Sequence, residues 1–192
     1  MSHYFETPES DRGRRTVSAT IFGTDYEFTT AAGVFSADGL DLGTSVLLRE
    51  AEPPTQAERL LDLGCGWGPI AVALADHCPG AVVDAVDTNA LARTLTRENA
   101  RRAGVHDRVR TLPPEEADPA VHYDEIWSNP PIRIGKAALH ELLLTWLPRL
   151  APNGIARLVV GRNLGADSLQ RWLIEQGWEC DRTASAKGFR VF

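Results

Sequence analysis

The chain has 192 residues and a formal net charge of −6, a length that suits one domain or one domain with a short extension. The acidic balance argues against a protein that coats nucleic acid without specificity, because such proteins usually carry a net basic surface. It leaves open an enzyme that touches RNA through a local basic patch.

No apolar run approaches the roughly 18 residues that a membrane span needs, and the first residues lack the apolar stretch of a secretory signal. The cysteines, Cys65, Cys78 and Cys180, are widely spaced and form no C-x-x-C pair. This spacing disfavours a disulfide framework or a zinc site. We therefore expect no metal and a reduced, cytoplasmic location.

Residues 16–30 alternate apolar and polar side chains around a turn at Gly23–Asp25, which predicts a β-hairpin. A loop follows, and either Asp41 or Thr44 is placed to cap a helix that runs to about Glu52. The run PPTQAE then marks the clearest boundary in the chain. It predicts two parts, an N-terminal extension of hairpin plus helix and a catalytic domain packed against it. Their ranges are 1–54 and 55–192.

Beyond this boundary the pattern alternates between strands and helices, and the tail at 178–192 supplies one or two late strands. The predicted strands are 59–64, 81–87, 108–112, 123–128 and 154–161, and the predicted helices are 69–78, 89–104, 136–151 and 167–177. Repeated strand–helix units predict an α/β fold with a doubly wound, mostly parallel sheet of seven strands. Ligands bind such sheets beyond the carboxyl ends of the strands, which is where the motifs below fall.

The first motif, DLGCGWGPI at 62–70, follows the first strand of this pattern. Its glycines at 64, 66 and 68 allow a sharp turn and a close approach of backbone to a ligand. The third glycine comes one position early for the dinucleotide fingerprint, which disfavours a nicotinamide-dependent oxidoreductase. Asp62 would repel a pyrophosphate but suits a ligand with an ammonium and a sulfonium, such as S-adenosylmethionine. The alternative is a tight strand–helix turn without a ligand.

The second strand is followed by Asp87, about twenty residues beyond the glycine turn, where an acidic side chain can accept hydrogen bonds from both ribose hydroxyls. Asn89 either assists this contact or caps the following helix. The placement of Asp87 beside the glycine turn favours ribose binding over a surface role.

The fourth strand runs into the turn Asn129-Pro130-Pro131. The side-chain oxygen of Asn129 and the carbonyl of Pro130 can both accept hydrogen bonds from an exocyclic amine. A planar amine held in this way has its lone pair free to attack a methyl group in line, so catalysis is mostly positioning and electrostatics. The alternative is a structural turn in which Asn129 caps the next helix.

Together these motifs resemble the class I S-adenosylmethionine-dependent methyltransferases, with DLGCGWGPIAVALA as the cofactor motif and NPPI as the amine-methylating motif. The segments HYF at 3–5, 33–48, 128–136 and 187–191 resemble the small-domain methyltransferase family, which includes the small-subunit ribosomal RNA guanine-N2 methyltransferases. The resemblance covers nearly the whole chain. It implies a Rossmann-like methyltransferase fold, an RNA substrate and methylation of a guanine N2 amine.

The resemblance also implies roles for individual residues. The catalytic residues are Asn129 and Pro130. The cofactor contacts are Thr44, Asp62, Gly64, Cys65, Gly66, Gly68, Asp87, Asn89 and Asn129. The substrate contacts are Phe35, Ser36, Pro131, Ile132, Arg133 and Lys136. For Arg133 and Lys136, contact with RNA phosphates and a solvated role are both open.

Two departures from the family pattern bear on the substrate. Ile132 stands where adenine-N6 enzymes usually have an aromatic residue, which favours guanine. After the third strand, Glu115 or Glu116 takes the place of the usual acidic residue beside the adenine ring. The alternatives are a methyltransferase for another amine (a tRNA base, a protein glutamine or a small molecule) and a non-catalytic RNA-binding module.

Overall fold

The computed structural model describes residues 13–192, so the motif expected at 3–5 lies outside the described residues. The described chain opens with an antiparallel hairpin of strands β1 (Arg15–Ile21) and β2 (Thr24–Thr30). Its apolar side chains join the same core as one face of the main sheet. The predicted N-terminal hairpin is therefore present and packs against the rest of the chain.

The hairpin turn is one residue earlier than expected. Phe22 and Gly23 form it, and both have a positive φ, at 50° and 80°, as the two-residue turns that match strand twist require. The expected turn at Gly23–Asp25 is misplaced because Asp25 already belongs to β2. There its carboxylate accepts a hydrogen bond from the Thr20 hydroxyl at 2.6 Å.

Helix α1 (Leu42–Glu50) follows the loop after the hairpin. Asp41 is its N-cap, and its carboxylate accepts from the backbone N–H of Thr44, which decides between the two expected caps. The helix ends two residues before Glu52. It packs against the main sheet, and the division of the chain at residue 54 stays a prediction.

The main sheet has seven strands in the order β5-β4-β3-β6-β7-β9-β8. Neighbours from β5 to β7 pair in parallel, and β9 pairs antiparallel with both β7 and β8. This confirms the predicted doubly wound, mostly parallel sheet. The strands are β3 (Arg59–Leu63), β4 (Val82–Val86), β5 (Val109–Leu112), β6 (Tyr123–Ser128), β7 (Leu150–Gly161), β8 (Ala184–Ala186) and β9 (Phe189–Val191).

Helices cover both faces of this sheet. The helices after α1 are α2 (Pro69–His77), α3 (Ala90–Arg102), α4 (Lys136–Trp146) and α5 (Ala166–Glu175). Side chains alternate along each strand, so Val159 joins the core with α1 to α3, and Leu158 and Val160 join the core with α4 and α5. Among the described residues, no helix is long and apolar enough to cross a membrane.

Helix α4 is shorter than expected because of a proline. It ends at Trp146, and a single 3-10 turn, Leu147–Arg149, leads into β7, since Pro148 has no N–H to continue the helical ladder. The expected break at residues 152–154 lies inside β7 instead. The pairing of β6 with β7 shifts register there, so the Pro-Asn-Gly run forms an irregularity in a strand.

Candidate functional site

A cavity of about 630 Å³ opens at the carboxyl ends of β3, β4 and β6, the edge at which doubly wound sheets bind ligands. Its volume is typical of small-molecule and cofactor sites. The predicted site residues that line it are Phe35, Ser36, Thr44, Gly64, Cys65, Gly66, Asp87, Asn89, Asn129, Pro130, Pro131, Ile132 and Arg133. Asp62, Gly68 and Lys136 do not line it.

The glycine turn forms one wall of the cavity. Gly64 and Gly66 have φ values of 80° and 56°, which side chains with a Cβ rarely adopt, and a Cβ at either position would meet no atom within 4 Å. The backbone N–H groups of Gly64 and Cys65 donate to the carbonyl of Val86 at 2.8 and 3.0 Å. The turn is thereby tied to the end of β4, with open space before its backbone for a ligand.

Asp87 lies at the end of β4, and its two carboxylate oxygens are held from both sides. One accepts from the N–H of Gly66 at 2.9 Å and the other from the N–H of Asn89 at 2.8 Å. Each carboxylate oxygen keeps a further lone pair, so a fixed carboxylate at the cavity wall fits a ribose with two hydroxyl donors. Its contact with ribose stays a prediction.

Asn89 is the N-cap of α3, which is one of the two roles expected for it from the sequence. Its side-chain oxygen accepts from the N–H groups of Leu91 and Ala92, at 3.0 and 3.4 Å. Its amide nitrogen donates to the carbonyl of Gly33 at 2.9 Å. Asn89 therefore connects the loop before α1 to the cavity wall.

Asp62 lies behind the glycine turn and is fully buried. One carboxyl oxygen accepts from the N–H of Ala71 at 2.9 Å, and the other has no hydrogen-bond partner among the described residues. Burial is the main reason that the pKa of Asp62 rises from 3.8 to about 8, and the nearby charge of Asp87 raises it further. An unpartnered buried oxygen fits a ligand that brings a positive charge, although the side chain does not line the cavity.

Gly68 and Cys65 both pack against Thr96 of α3. A Cβ on Gly68 would lie 2.8 Å from the side chain of Thr96, so glycine is required for the close approach of α2 and α3. The Cys65 sulfur lies 3.6 Å from the Thr96 hydroxyl. Burial raises the pKa of the Cys65 thiol well above its ordinary value, so the thiol is a neutral packing group.

The amide of Asn129 has a defined orientation. Its nitrogen donates to a carboxylate oxygen of Asp41 at 2.8 Å and to the hydroxyl of Thr44 at 3.0 Å. Because a carboxylate only accepts hydrogen bonds, the amide nitrogen must face Asp41 and the amide oxygen must point elsewhere. Asn129 is not a helix cap, since the N-cap of α4 is Gly135, without a side-chain bond.

The carbonyl of Pro130 is already engaged in a tight turn. It accepts from the N–H of Ile132 at 2.8 Å, and the dihedral angles of Pro131, −74° and 78°, are those of an inverse γ-turn. This internal bond was not expected from the sequence. A carbonyl oxygen has two lone pairs, so one remains for a substrate amine.

Among the other predicted substrate contacts, Lys136 lies outside the cavity lining and the rest lie within it. Phe35 is 65% exposed, and the carbonyl of Ser36 accepts from the indole N–H of Trp67 at 3.2 Å. Ile132 and Arg133 line the cavity within the single 3-10 turn after the prolines. Lys136 is the exposed first residue of α4.

Neither of the acidic residues proposed beside an adenine ring reaches the cavity. Glu115 and Glu116 are exposed on a 3-10 turn, and Pro114 of the same turn lines the cavity. The first residue of this turn, and not its carboxylates, therefore faces the space available to a ligand. Among the described residues, no cluster of three His, Cys, Asp or Glu side chains could hold a metal ion.

Sequence reasoning missed several residues of the site. Asp41 was recognised as a helix cap but not as the partner of Asn129, which lies 88 residues away. Trp67, Leu164 and Phe189 also line the cavity. The only signal for Asp41 was its cap position, because a contact over such a separation has no local pattern.

A glycine turn, a carboxylate after the second strand of the sheet and an amide after the fourth, gathered at one edge, define the class of S-adenosylmethionine-dependent methyltransferases. The profile of the methyltransferase small domain matches residues 25–192, and the chain belongs to this family. The predicted class of enzyme and the predicted cofactor, S-adenosylmethionine, are thereby confirmed at the level of the family.

The relatives include Uncharacterized protein YbxB of Bacillus subtilis (strain 168), which is 30% identical over 192 residues, covering 98% of this chain and 95% of that protein. Ribosomal RNA small subunit methyltransferase C of Aeromonas hydrophila is 38% identical over 127 residues, covering 65% of this chain and 36% of that protein. This chain thus spans little more than a third of that relative's length.

A solved structure of T. Thermophilus 16S rRNA N2 G1207 methyltransferase, in complex with AdoMet and guanosine, superposes with a TM-score of 0.79 at 25% identity. The match covers 93% of this chain and 49% of that chain. The fold of the present chain therefore corresponds to about half of that enzyme.

Proposed function

We propose that the protein transfers a methyl group from S-adenosylmethionine to the exocyclic N2 amine of a guanine in ribosomal RNA. The observation that carries this proposal is the orientation of the Asn129 amide. Asp41 and Thr44 both bind its nitrogen, so its oxygen remains an acceptor. An acceptor at this position suits an amine substrate, which has hydrogen atoms to donate.

The amine would be held by two acceptors, the Asn129 side-chain oxygen and the remaining lone pair of the Pro130 carbonyl. When bound, S-adenosylmethionine supplies an electrophilic methyl group on a sulfonium. Holding both N–H groups orients the nitrogen lone pair toward that methyl carbon, so the residues act chiefly by positioning. The new N–C bond forms as the S–C bond breaks, and the methylated amine then loses its extra proton to solvent.

The cofactor-binding part of the proposal uses other residues of the cavity lining. Asp87 would accept hydrogen bonds from the ribose hydroxyls, and the backbone of Gly64 and Gly66 would lie against the ligand. Thr44 would approach its methionine end, beside Asn129. The buried carboxyl of Asp62 would be stabilised in its charged form by the positive charge of the ligand.

The choice of a guanine in RNA is supported by two independent points. The relatives named above include ribosomal RNA small subunit methyltransferases and an N2 G1207 enzyme crystallised with guanosine. In addition, Ile132 follows the prolines where an aromatic side chain would suit a flipped adenine. Other amines, such as a tRNA base or a protein glutamine, are the alternatives that the assay must separate, together with a non-catalytic RNA-binding module.

Transfer of a labelled methyl group tests the proposal directly. Purified protein should label ribosomal RNA or small subunits that lack the modification, and nucleoside analysis should identify N2-methylguanosine. Asn129→Ala should lose turnover and keep its affinity for S-adenosylhomocysteine within about threefold, because Asn129 acts on the amine. If a protein or tRNA were labelled and ribosomal RNA were not, the assignment of ribosomal RNA as the substrate would be wrong. Failure to bind the cofactor product would favour a non-catalytic module.

A further inference from the structure

Exposed apolar side chains gather at the mouth of the cavity. Phe35, Ile134 and Leu164 are exposed by 65%, 50% and 54%, respectively, and all of them line the cavity. They come from the loop before α1, the turn before α4 and the turn after β7. Single exposed apolar residues are common on protein surfaces, but a group of them around a cavity marks an interaction site.

Exposed positive charges lie on or beside the segments that carry residues of this cavity lining. Arg133, Lys136, Arg162 and Lys187 are all exposed, and within residues 13–192 none of them forms an ion pair. The chain contains two lysines, and both are in this group. These segments therefore carry cations without ion-pair partners among the described residues, on a protein whose net charge is −6.

A backbone hydrogen bond joins the turn that carries Arg162 to the turn that carries Lys187. The N–H of Arg162 donates to the carbonyl of Gly188 at 2.8 Å, so the turn after β7 and the turn between β8 and β9 form one continuous surface. Lys187 lies on the second of these turns, two residues before Phe189, which lines the cavity. We call this group of apolar and cationic side chains the cavity rim.

We propose that the cavity rim binds an unpaired RNA segment on either side of the target base. This inference rests on the proposed function, because it takes RNA as the substrate. Cations contact phosphates whatever the sequence, and unstacked bases pack against exposed aromatic and apolar side chains. An intact duplex presents its backbone and grooves instead, so it would leave the apolar side chains of the rim without a partner.

A binding assay without turnover tests the rim. The probe is a fluorescein-labelled, guanine-containing RNA of about 12 nucleotides that cannot self-pair, measured by anisotropy with S-adenosylhomocysteine present. Arg162→Gln combined with Lys187→Gln should weaken binding at least tenfold. It should also reduce the slope of log affinity against log salt by about 1.4, or about 0.7 for each lost phosphate contact.

The matched control removes two positive charges elsewhere. The control variant is Arg101→Gln combined with Arg102→Gln. These two arginines lie at the end of α3, roughly 20 Å along the helix from its cavity end, so their loss should leave RNA affinity unchanged. Phe35→Ala should weaken binding to unpaired RNA with little change in the salt slope. Circular dichroism and S-adenosylhomocysteine affinity verify that each variant is folded.

The small number of lysines permits a second, mutation-free measurement. Acetylation with an amine-reactive ester, followed by mass spectrometry, should label Lys136 and Lys187 in the free protein and label both more slowly with the RNA probe bound. Equal labelling with and without bound RNA would overturn the inference. Equal loss of affinity in both double variants, or tighter binding of the matching duplex, would do the same.

Failure of this inference is distinguishable from failure of the proposed function. If the wild type binds RNA through the rim but transfers no methyl group to RNA, the proposed function fails and the rim stands. If the rim variants methylate ribosomal RNA with the same KM as the wild type, RNA binding by the rim is refuted and the proposed function stands. Rim variants that bind RNA normally but lose affinity for a protein substrate would assign the surface to a protein.

Discussion

Replacing Asp41 by serine should separate its two roles. The same Asp41 oxygen accepts from the N–H of Thr44 at 3.1 Å, capping α1, and from the Asn129 amide at 2.8 Å. Serine caps helices about as well as aspartate, but its shorter side chain does not reach the amide. Asn129 would keep only its bond to the Thr44 hydroxyl, which can either donate or accept. The amide would then be free to flip.

The expected loss follows from the bond that is removed. A hydrogen bond to a charged group contributes about 1.5–3 kcal/mol, and each 1.36 kcal/mol corresponds to a factor of ten in rate. If this energy holds the amide in its productive orientation, it sets an upper limit of about a hundredfold on the fall in kcat. The free energy of unfolding should fall by no more than the energy of this bond, about 1.5–3 kcal/mol, because the cap itself is conserved.

The assay compares kcat and KM for methyl transfer in the wild type, Asp41→Ser and Asp41→Asn. Asparagine keeps an acceptor oxygen of the same reach, so Asp41→Asn should stay within about threefold of the wild type. NMR of the Asn129 side-chain amide gives a readout without turnover. Its protons should be protected from exchange in the wild type and in Asp41→Asn, and exposed in Asp41→Ser.

A wild-type kcat in Asp41→Ser would refute this reasoning, because the amide would then need no fixed orientation. A lower stability with an unchanged amide signal would show that Asp41 acts only as a cap. An equal loss of kcat in the serine and asparagine variants would indicate that the negative charge, and not the position of an acceptor, is what matters.

The remaining predictions concern stability and cofactor binding. The folded-state pKa of Asp62, about 8, exceeds its unfolded value, so the folded protein binds more protons and loses stability as pH rises from about 4 to 8. Asp62→Asn should gain stability relative to the wild type with rising pH in this window, by at most about 1.4 kcal/mol per pH unit. The free energy of unfolding, measured in urea at several pH values, would contradict this if it changed with pH equally in the two proteins. Gly68→Ala should cost more than Gly104→Ala in the same assay. Both positions have a positive φ, but only at Gly68 would the Cβ approach Thr96 within 2.8 Å, whereas at Gly104 it meets nothing. Asp87→Ala should weaken S-adenosylhomocysteine binding by about a hundredfold in calorimetry, because two hydrogen bonds to a charged acceptor contribute at least about 3 kcal/mol; an unchanged Kd would rule out the ribose contact.

Local patterns determined most of the fold. Alternation of apolar residues and the glycine and proline stops predicted the five parallel strands of the main sheet and each helix to within a few residues, since these signals arise from backbone conformation within one element. For the tail they predicted one or two strands without bounds. The exceptions were also local. Pro148 ended α4 early, and the run at residues 152–154 forms an irregularity inside β7, between Leu150 and Ile155, which both pair with β6.

The roles of side chains at the site were harder to predict from the sequence than the fold. The glycine turn, Asp87 and Asn129 could be placed because each directly follows a strand whose end lies at the ligand-binding edge. The sequence could not place Asp62 behind the turn, since depth below a surface depends on the packing of α2. Nor could it tell whether the Pro130 carbonyl had an internal partner.

The sequence by itself determined a parallel sheet with a glycine turn, a carboxylate and an Asn-Pro-Pro turn at the ends of its strands. Only the tertiary structure decided which way the Asn129 amide points, because its partners Asp41 and Thr44 lie more than 80 residues earlier, at separations of 88 and 85. The same holds for the cavity rim, whose side chains come from separate turns. Contacts between distant segments depend on how the elements pack, and no local pattern in a single chain records that.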